Sequence, residues 1–209
     1  AAVALVSILA VVAVWQLWSR LGAPPPEVDK SIAVRPLETL GGEPEDEYFS
    51  SGLTEDLVTQ LSRIPDLEVA SGRSSLRYRD TEKSLREIGE ELGVGTILEG
   101  TIRRQADRVR VNVELIDART NRNLWAEKFE GPTSDIFGIQ SEIAEKLAAR
   151  LKVELSAETE RALERAPTVD PEAYELVLRG RYQRNLETRE SILRAAEYFE
   201  RATERDPDY

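Results

Sequence analysis

The sequence predicts an α/β fold with a mixed sheet, in the order β-α-β-α-β-β-β-α over residues 31–155. Three observations carry that prediction. Val109, Val111, Val113 and Leu115 alternate strictly with Arg108, Arg110, Asn112 and Glu114, the period-two pattern of a strand with one buried and one wet face. The segments flanking this strand, within 94–129, are rich in β-forming residues and are set off by short polar breaks at 105–107 and 117–123. These fit hairpin loops, so three antiparallel strands in a meander are expected. On either side of the meander, apolar residues recur at helical spacing: Phe49, Leu53, Leu57, Leu61 and Ile64 before it, and Ile136, Ile139, Ile143, Leu147 and Leu151 after it. Helices with one apolar stripe need an apolar surface to cover, and the sheet supplies one.

Taken in order, residues 1–21 open with eighteen residues whose polar members are Ser7 and Gln16. As a helix they would be about 27 Å long, near the hydrocarbon thickness of a bilayer, with Trp15, Trp18 and Arg20 at one end. A transmembrane helix is therefore expected. A signal-peptide core cut after Ala23 is the competing reading, although Leu21, three residues before that cut, is not small. Residues 22–30 hold three consecutive prolines and read as a stiff linker. Ser31 to Leu37 reads as a strand ended by Pro36, followed by a polar loop from Thr39 to Asp46. The helix from Glu47 stops at Pro65, and Leu67 to Ala70 gives a second strand. Ser84 and Glu87 have capping-box spacing ahead of Leu85, Ile88 and Leu92, and Gly93 supplies the stop. In the second hairpin loop, Asn121 is the residue suited to a left-handed backbone. Ser134 or Asp135 is placed to cap the last helix of the domain.

After a linker at 156–169 the texture becomes helical. Asp170-Pro171 and Asp206-Pro207 lie 36 residues apart, each pairing an N-cap aspartate with proline at the first helical position. Between them fit one helix to about Asn185 and another from about Ser191 to Arg205. Ala195, Phe199, Ala202 and Pro207 have the spacing of the second helix of a tetratricopeptide repeat, so residues 170–209 are expected to begin such an array. One repeat cannot bury both of its faces, and continuation of the array is expected.

The chain has no cysteine and no histidine, which excludes thiol nucleophiles, disulfides, Cys/His zinc sites and histidine acid–base chemistry within these residues. It also lacks methionine, even at position 1, so a fragment of a longer protein is expected. Net charge is −11. Arg20 is the one charge in the first 26 residues, which leaves −12 on the remainder. An acidic surface without a basic stripe does not suit a phosphate backbone, and no nucleic acid is expected to bind this region.

No catalytic, cofactor-binding or metal-binding residue is assigned. Glu43, Glu45, Asp46 and Glu47 cluster ahead of a helix, but acids favour a helix start anyway and their spacing matches no calcium loop. Gly89, Gly93, Gly95 and Gly100 lack the GxGxxG spacing and lead from helix into strand, the wrong order for a phosphate loop. Ser50, Ser51 and Thr54 lack a neighbouring base and read as solvated first-turn residues. Trp125 reads as a core or sheet-face residue. Arg181 and Asn185, on the first repeat helix, are the candidates for contact with a protein or peptide partner.

Three blocks stand in order: SIAVRPLETLGGEPEDEYFSSGLTEDLVTQLSRI, REIGEELGVGTILEGTIRR and LIDARTNRNLWAEKFE. Together they resemble the TolB amino-terminal-like (FlgO-like) domain over residues 31–155. Two positions depart from that pattern: Arg35 replaces an aliphatic residue, and Ser51 replaces an aspartate ahead of the GLTE block. The resemblance implies a bacterial protein in which this domain sits between a single membrane span and a tetratricopeptide array. It also implies an upstream winged-helix, class III nucleotide cyclase or serine/threonine kinase domain.

The expected function is a non-catalytic interaction or sensory region of a membrane-anchored signalling or regulatory protein. The alternative is part of a larger enzyme, a cyclase or kinase with its catalytic domain upstream. A third reading, an envelope-associated secreted protein, follows if residues 1–23 are a signal peptide. The expected location is the bacterial inner membrane, single-pass through residues 1–21, with the soluble part on the periplasmic side.

Overall fold

The computed structural model describes residues 29–41 and 46–209. The strands are β1 (Ser31–Val34), β2 (Glu38–Thr39), β3 (Glu68–Val69), β4 (Thr96–Gln105), β5 (Arg108–Asp117) and β6 (Arg122–Pro132). The helices are α1 (Glu47–Leu61), α2 (Gly72–Leu76), α3 (Leu85–Leu92), α4 (Ile136–Arg150), α5 (Ala157–Glu164), α6 (Pro171–Asn185) and α7 (Arg189–Arg205). The strands form one mixed sheet in the order β3-β1-β4-β5-β6. β1 and β3 run parallel, as do β1 and β4, while β4, β5 and β6 form the antiparallel meander.

Pro36 divides the first predicted strand without ending its path. β1 pairs with the first part of β4, and β2 pairs with Thr101 and Ile102 further along the same edge. Between them the N–H of Arg35 still reaches the carbonyl of Leu98 at 2.9 Å, so the chain stays on the edge while proline, which has no donor, passes over it.

One sheet face carries the main core. Ile32, Val34, Leu98, Ile102, Val109, Val111, Val113 and Leu115 pack there beneath α1 and α4. The predicted stripe of α4 is buried in full. On the opposite face, Ala33, Ile97 and Ala118 meet Ile88 of α3 and Tyr78. The capping box is formed: Ser84 Oγ accepts from the N–H of Glu87, while the Glu87 carboxylate accepts from the N–H of Ser84. Gly93 closes α3 at φ 69°. Asn121 takes φ 56°, and Asp117 Oδ1 accepts from the N–H groups of Arg119 and Thr120 inside that loop.

Several expectations need correcting. The single-pass inner-membrane placement does not stand: no helix among the described residues is long and apolar enough to cross a membrane. Residues 1–21, on which it rested, lie outside the described residues, as do most of the proline-rich segment, Glu43 and Glu45. Ser50, Ser51 and Thr54 are not solvated but buried. Ser50 donates to the carbonyl of Leu37, and Thr54 accepts the N–H of Leu37 at 3.1 Å, so these hydroxyls hold the β1–β2 connection to α1. Asp135 makes no side-chain cap; a 3-10 turn, Thr133–Asp135, leads into α4 instead. The 156–169 segment, expected as a plain linker, contains α5.

Helix α5 is clipped down at its end. Leu163 is buried in the main core, and its carbonyl accepts from Ser141 of α4 at 2.6 Å and from Gln60 of α1. Arg63 donates to the carbonyl of Ala162 at 3.0 Å. These bonds use carbonyls that a helix end leaves without partners, so a short helix persists where the sequence shows little apolar pattern.

Candidate interaction site where the helical pair meets the sheet domain

Helices α6 and α7 form an antiparallel pair. Asp170 caps α6 by accepting from the N–H groups of Glu172 and Ala173, and Thr188 and Ser191 form a capping box for α7. A Cβ at Gly180 would sit 2.5 Å from the Phe199 ring, so the missing side chain lets α7 close against α6.

The pair is docked onto α1. A Cβ at Gly52 would lie 2.4 Å from Leu178 Cδ2, so the glycine of the GLTE block is a contact surface for α6. This explains why α1 is buried on more than its predicted stripe: the sheet covers one side, and α6 the other. Tyr174 and Leu178 belong to the same apolar cluster as Leu53 and Leu57.

Polar groups ring this apolar seam. Asp56 Oδ2 accepts from the Tyr174 hydroxyl at 2.7 Å and from Gln140 of α4 at 3.3 Å, while its Oδ1 accepts from Arg181 at 2.7 Å. Burial, and then the Asp56 carboxylate, push the Tyr174 hydroxyl well above its ordinary value. Nearby, Tyr209 packs against the core, and burial raises its hydroxyl to about 12.

At the other end of the seam Tyr48 donates to Glu175, and Arg104 donates to the Tyr48 hydroxyl at 3.0 Å and to Glu175 at 3.2 Å. Arg179 joins Glu175 at 3.2 Å and lies 4.4 Å over the Tyr48 ring. Burial alone would raise the Glu175 carboxyl; the Tyr48 hydrogen bond and the two guanidinium groups outweigh it and hold the group below its usual range.

The two residues singled out for partner contact both lie on this seam. Arg181 holds Asp56, and Asn185 donates to Glu55 at 2.7 Å. The structure thus brings together Arg181 and Asn185 with acids of α1, inside one chain. Sequence reasoning missed Asp56, Tyr174, Tyr48, Arg104 and Glu175, which meet across long separations. Gly52, unexplained in mid-helix, was the available signal.

Residues 28–146 match the family described as HilA/YgeH-like transcriptional regulator, second domain. The chain belongs to that family. It is also 41% identical over 160 residues to a protein of Rhizobium meliloti (strain 1021) named "Putative adenylate cyclase 3". That match takes in 76% of this chain but 27% of the relative, so the chain spans about a quarter of its length. Solved structures similar in fold include TolB from Acinetobacter baumannii, at 18% identity and a TM-score of 0.42, covering 58% of this chain and 28% of that one. Another is the C-terminal domain of LpoB from Escherichia coli, at 14% identity and a TM-score of 0.39, covering 56% and 93% respectively. Those two likenesses concern the fold alone. Arg35, one of the two departures from the TolB-like pattern, pairs with Glu99 and donates to the Tyr78 carbonyl at 3.1 Å. Ser51 is buried within α1.

Proposed function

We propose that this HilA/YgeH-like second domain and its helical pair form a non-catalytic, protein-binding region of a bacterial signalling or regulatory protein. The observation that carries the reading is the match of 160 residues to 27% of a longer relative, which is how a module shared among larger chains looks. In this reading residues 31–155 are the TolB amino-terminal-like domain, and residues 170–209 begin a tetratricopeptide array. The repeat assignment is supported by the capped Asp170-Pro171 start and the Gly180–Phe199 contact. Arg181 and Asn185 then serve to dock the first repeat onto α1, and a peptide reaching them would have to displace Asp56 and Glu55. The acidic surface disfavours nucleic acid.

The test is photocrosslinking in the native cell from Ile192 and Leu193, which are exposed on α7. A discrete adduct, identified by mass spectrometry and reproduced by reciprocal purification, is expected. Failure to capture any protein from either position would sink the reading.

A second reading has its own support: the named relative favours a cyclase over a kinase as the larger enzyme of which this region is part. Cyclic AMP formation by the full natural gene product tests it, and an inactive product under conditions that activate other cyclases would dismiss it.

A further inference from the structure

Beside the docking seam a cleft of about 500 Å³ opens between the β4–β5 turn, the start of α4, the end of α5 and the start of α6. Phe49, Phe137 and Tyr174 line it: Phe137 is partly exposed and offers the reachable apolar surface, Phe49 and Tyr174 are 2% and 4% exposed, and Phe137 and Tyr174 meet edge-to-face at 4.7 Å. Val169 stands at its rim and is 95% exposed, although nothing in its chemistry favours water.

The charge around this apolar surface is one-sided. Arg104 lines the cleft but is committed to Glu175, and Glu172 is committed to Arg205 at 2.8 Å. That leaves Asp107, Asp135 and Glu164, three exposed carboxylates on three different elements, with no ion-pair partner among the described residues. Further along α4, burial and then Glu164 and its acidic neighbours raise the Glu145 carboxyl, as an excess of negative charge along this side requires.

We infer that this cleft is the docking site for a short partner segment that places an apolar side chain against Phe137 and lysine or arginine residues against Asp107, Asp135 and Glu164. Phe137 accounts for the apolar anchor, and the three unmatched carboxylates for the basic flanks. An acidic segment would meet repulsion from three sides, and an uncharged apolar one would leave the carboxylates unmatched. The inference rests on the reading of this region as protein-binding and names where the partner sits and what chemistry it carries.

The experiment uses the whole chain and fluorescence anisotropy. The probe is a labelled nine-residue peptide with a central Leu-Phe pair flanked on each side by two lysines; its counterpart has every lysine replaced by glutamate. The lysine peptide is expected to bind, and the glutamate peptide is not. The Asp107→Asn/Glu164→Gln double variant is expected to weaken binding about fivefold, with the effect fading in high salt. Val169→Ser is expected to weaken it about threefold at any salt concentration. All three positions are exposed, so the fold should hold in each variant, and circular dichroism checks that it does. Equal binding of both peptides, no binding of either, or binding indifferent to all three substitutions would overturn the inference. The general reading survives separately if Ile192 or Leu193 captures a partner while the lysine peptide does not bind.

Discussion

Asp56 and Tyr174, 118 residues apart in the chain, share a 2.7 Å hydrogen bond that ties α1 to α6. Gln140 and Arg181 converge on the same carboxylate. Asp56→Ala would leave the Tyr174 hydroxyl without its acceptor, the Gln140 amide with the Tyr174 oxygen alone at 3.2 Å, and Arg181 without its counter-ion. The expected loss in urea unfolding is about 2–3 kcal/mol. Asp56→Asn keeps one acceptor oxygen and should lose about half as much.

Gly52 predicts a coupled effect. Alanine there gains about 1 kcal/mol of helix propensity but drives a Cβ into Leu178, an overpacking cost of about 1–3 kcal/mol. Gly52→Ala should therefore destabilise by about 1 kcal/mol. Combined with Leu178→Ala, it should cost clearly less than the sum of the two single changes. A double-mutant cycle that comes out additive would deny the contact.

Glu187 joins α6 to α7 at φ 53°, a left-handed conformation that costs a non-glycine residue about 1 kcal/mol or more. Its ion pair with Arg73 is solvent-exposed on both sides and adds little. Glu187→Gly is expected to raise the melting temperature by about 1–2 °C once the extra freedom of glycine in the unfolded chain is subtracted.

The seam should loosen at both ends of the pH scale. Glu175 is held below its ordinary 4.5, so its contribution is present above that value and is lost as pH falls through the lowered one. Tyr209 is raised from 10.0 to about 12, mainly by burial, so its contribution is complete below pH 10 and is lost as pH rises toward 12. Urea midpoints measured across pH should fall on both limbs. Glu175→Gln should flatten the acid limb, and Tyr209→Phe the alkaline one.

Local signals were legible in the sequence. The alternation of Val109 to Leu115, the Ser84–Glu87 spacing, Asn121 in its loop and the Asp170-Pro171 cap each depend on a few adjacent residues, and each element formed as read. The stripe of α4 was equally plain, because it faces one surface. What failed was whatever depends on a second surface. Ser50 and Thr54 read as wet because nothing nearby reveals that Leu37 lies over them. Helix α5 was hidden because its end is satisfied by Gln60, Arg63 and Ser141, which come from other helices. Arg181 and Asn185 read as candidates for contact with a partner; their hydrogen bonds to Asp56 and Glu55 of α1 depend on topology that no local pattern encodes.

The core shared by Leu53, Leu57, Tyr174 and Leu178 has a mechanical consequence. A close-packed interior is stiff, so a push on α7 passes through α6 into α1 and on to the sheet with little slack. Residues 156–169, which look like a joint in the sequence, are bypassed by that path. Tilting the helices relative to the strands would require the seam itself to part, so the assembly behaves as a lever cut from one piece, not as two bodies on a tether.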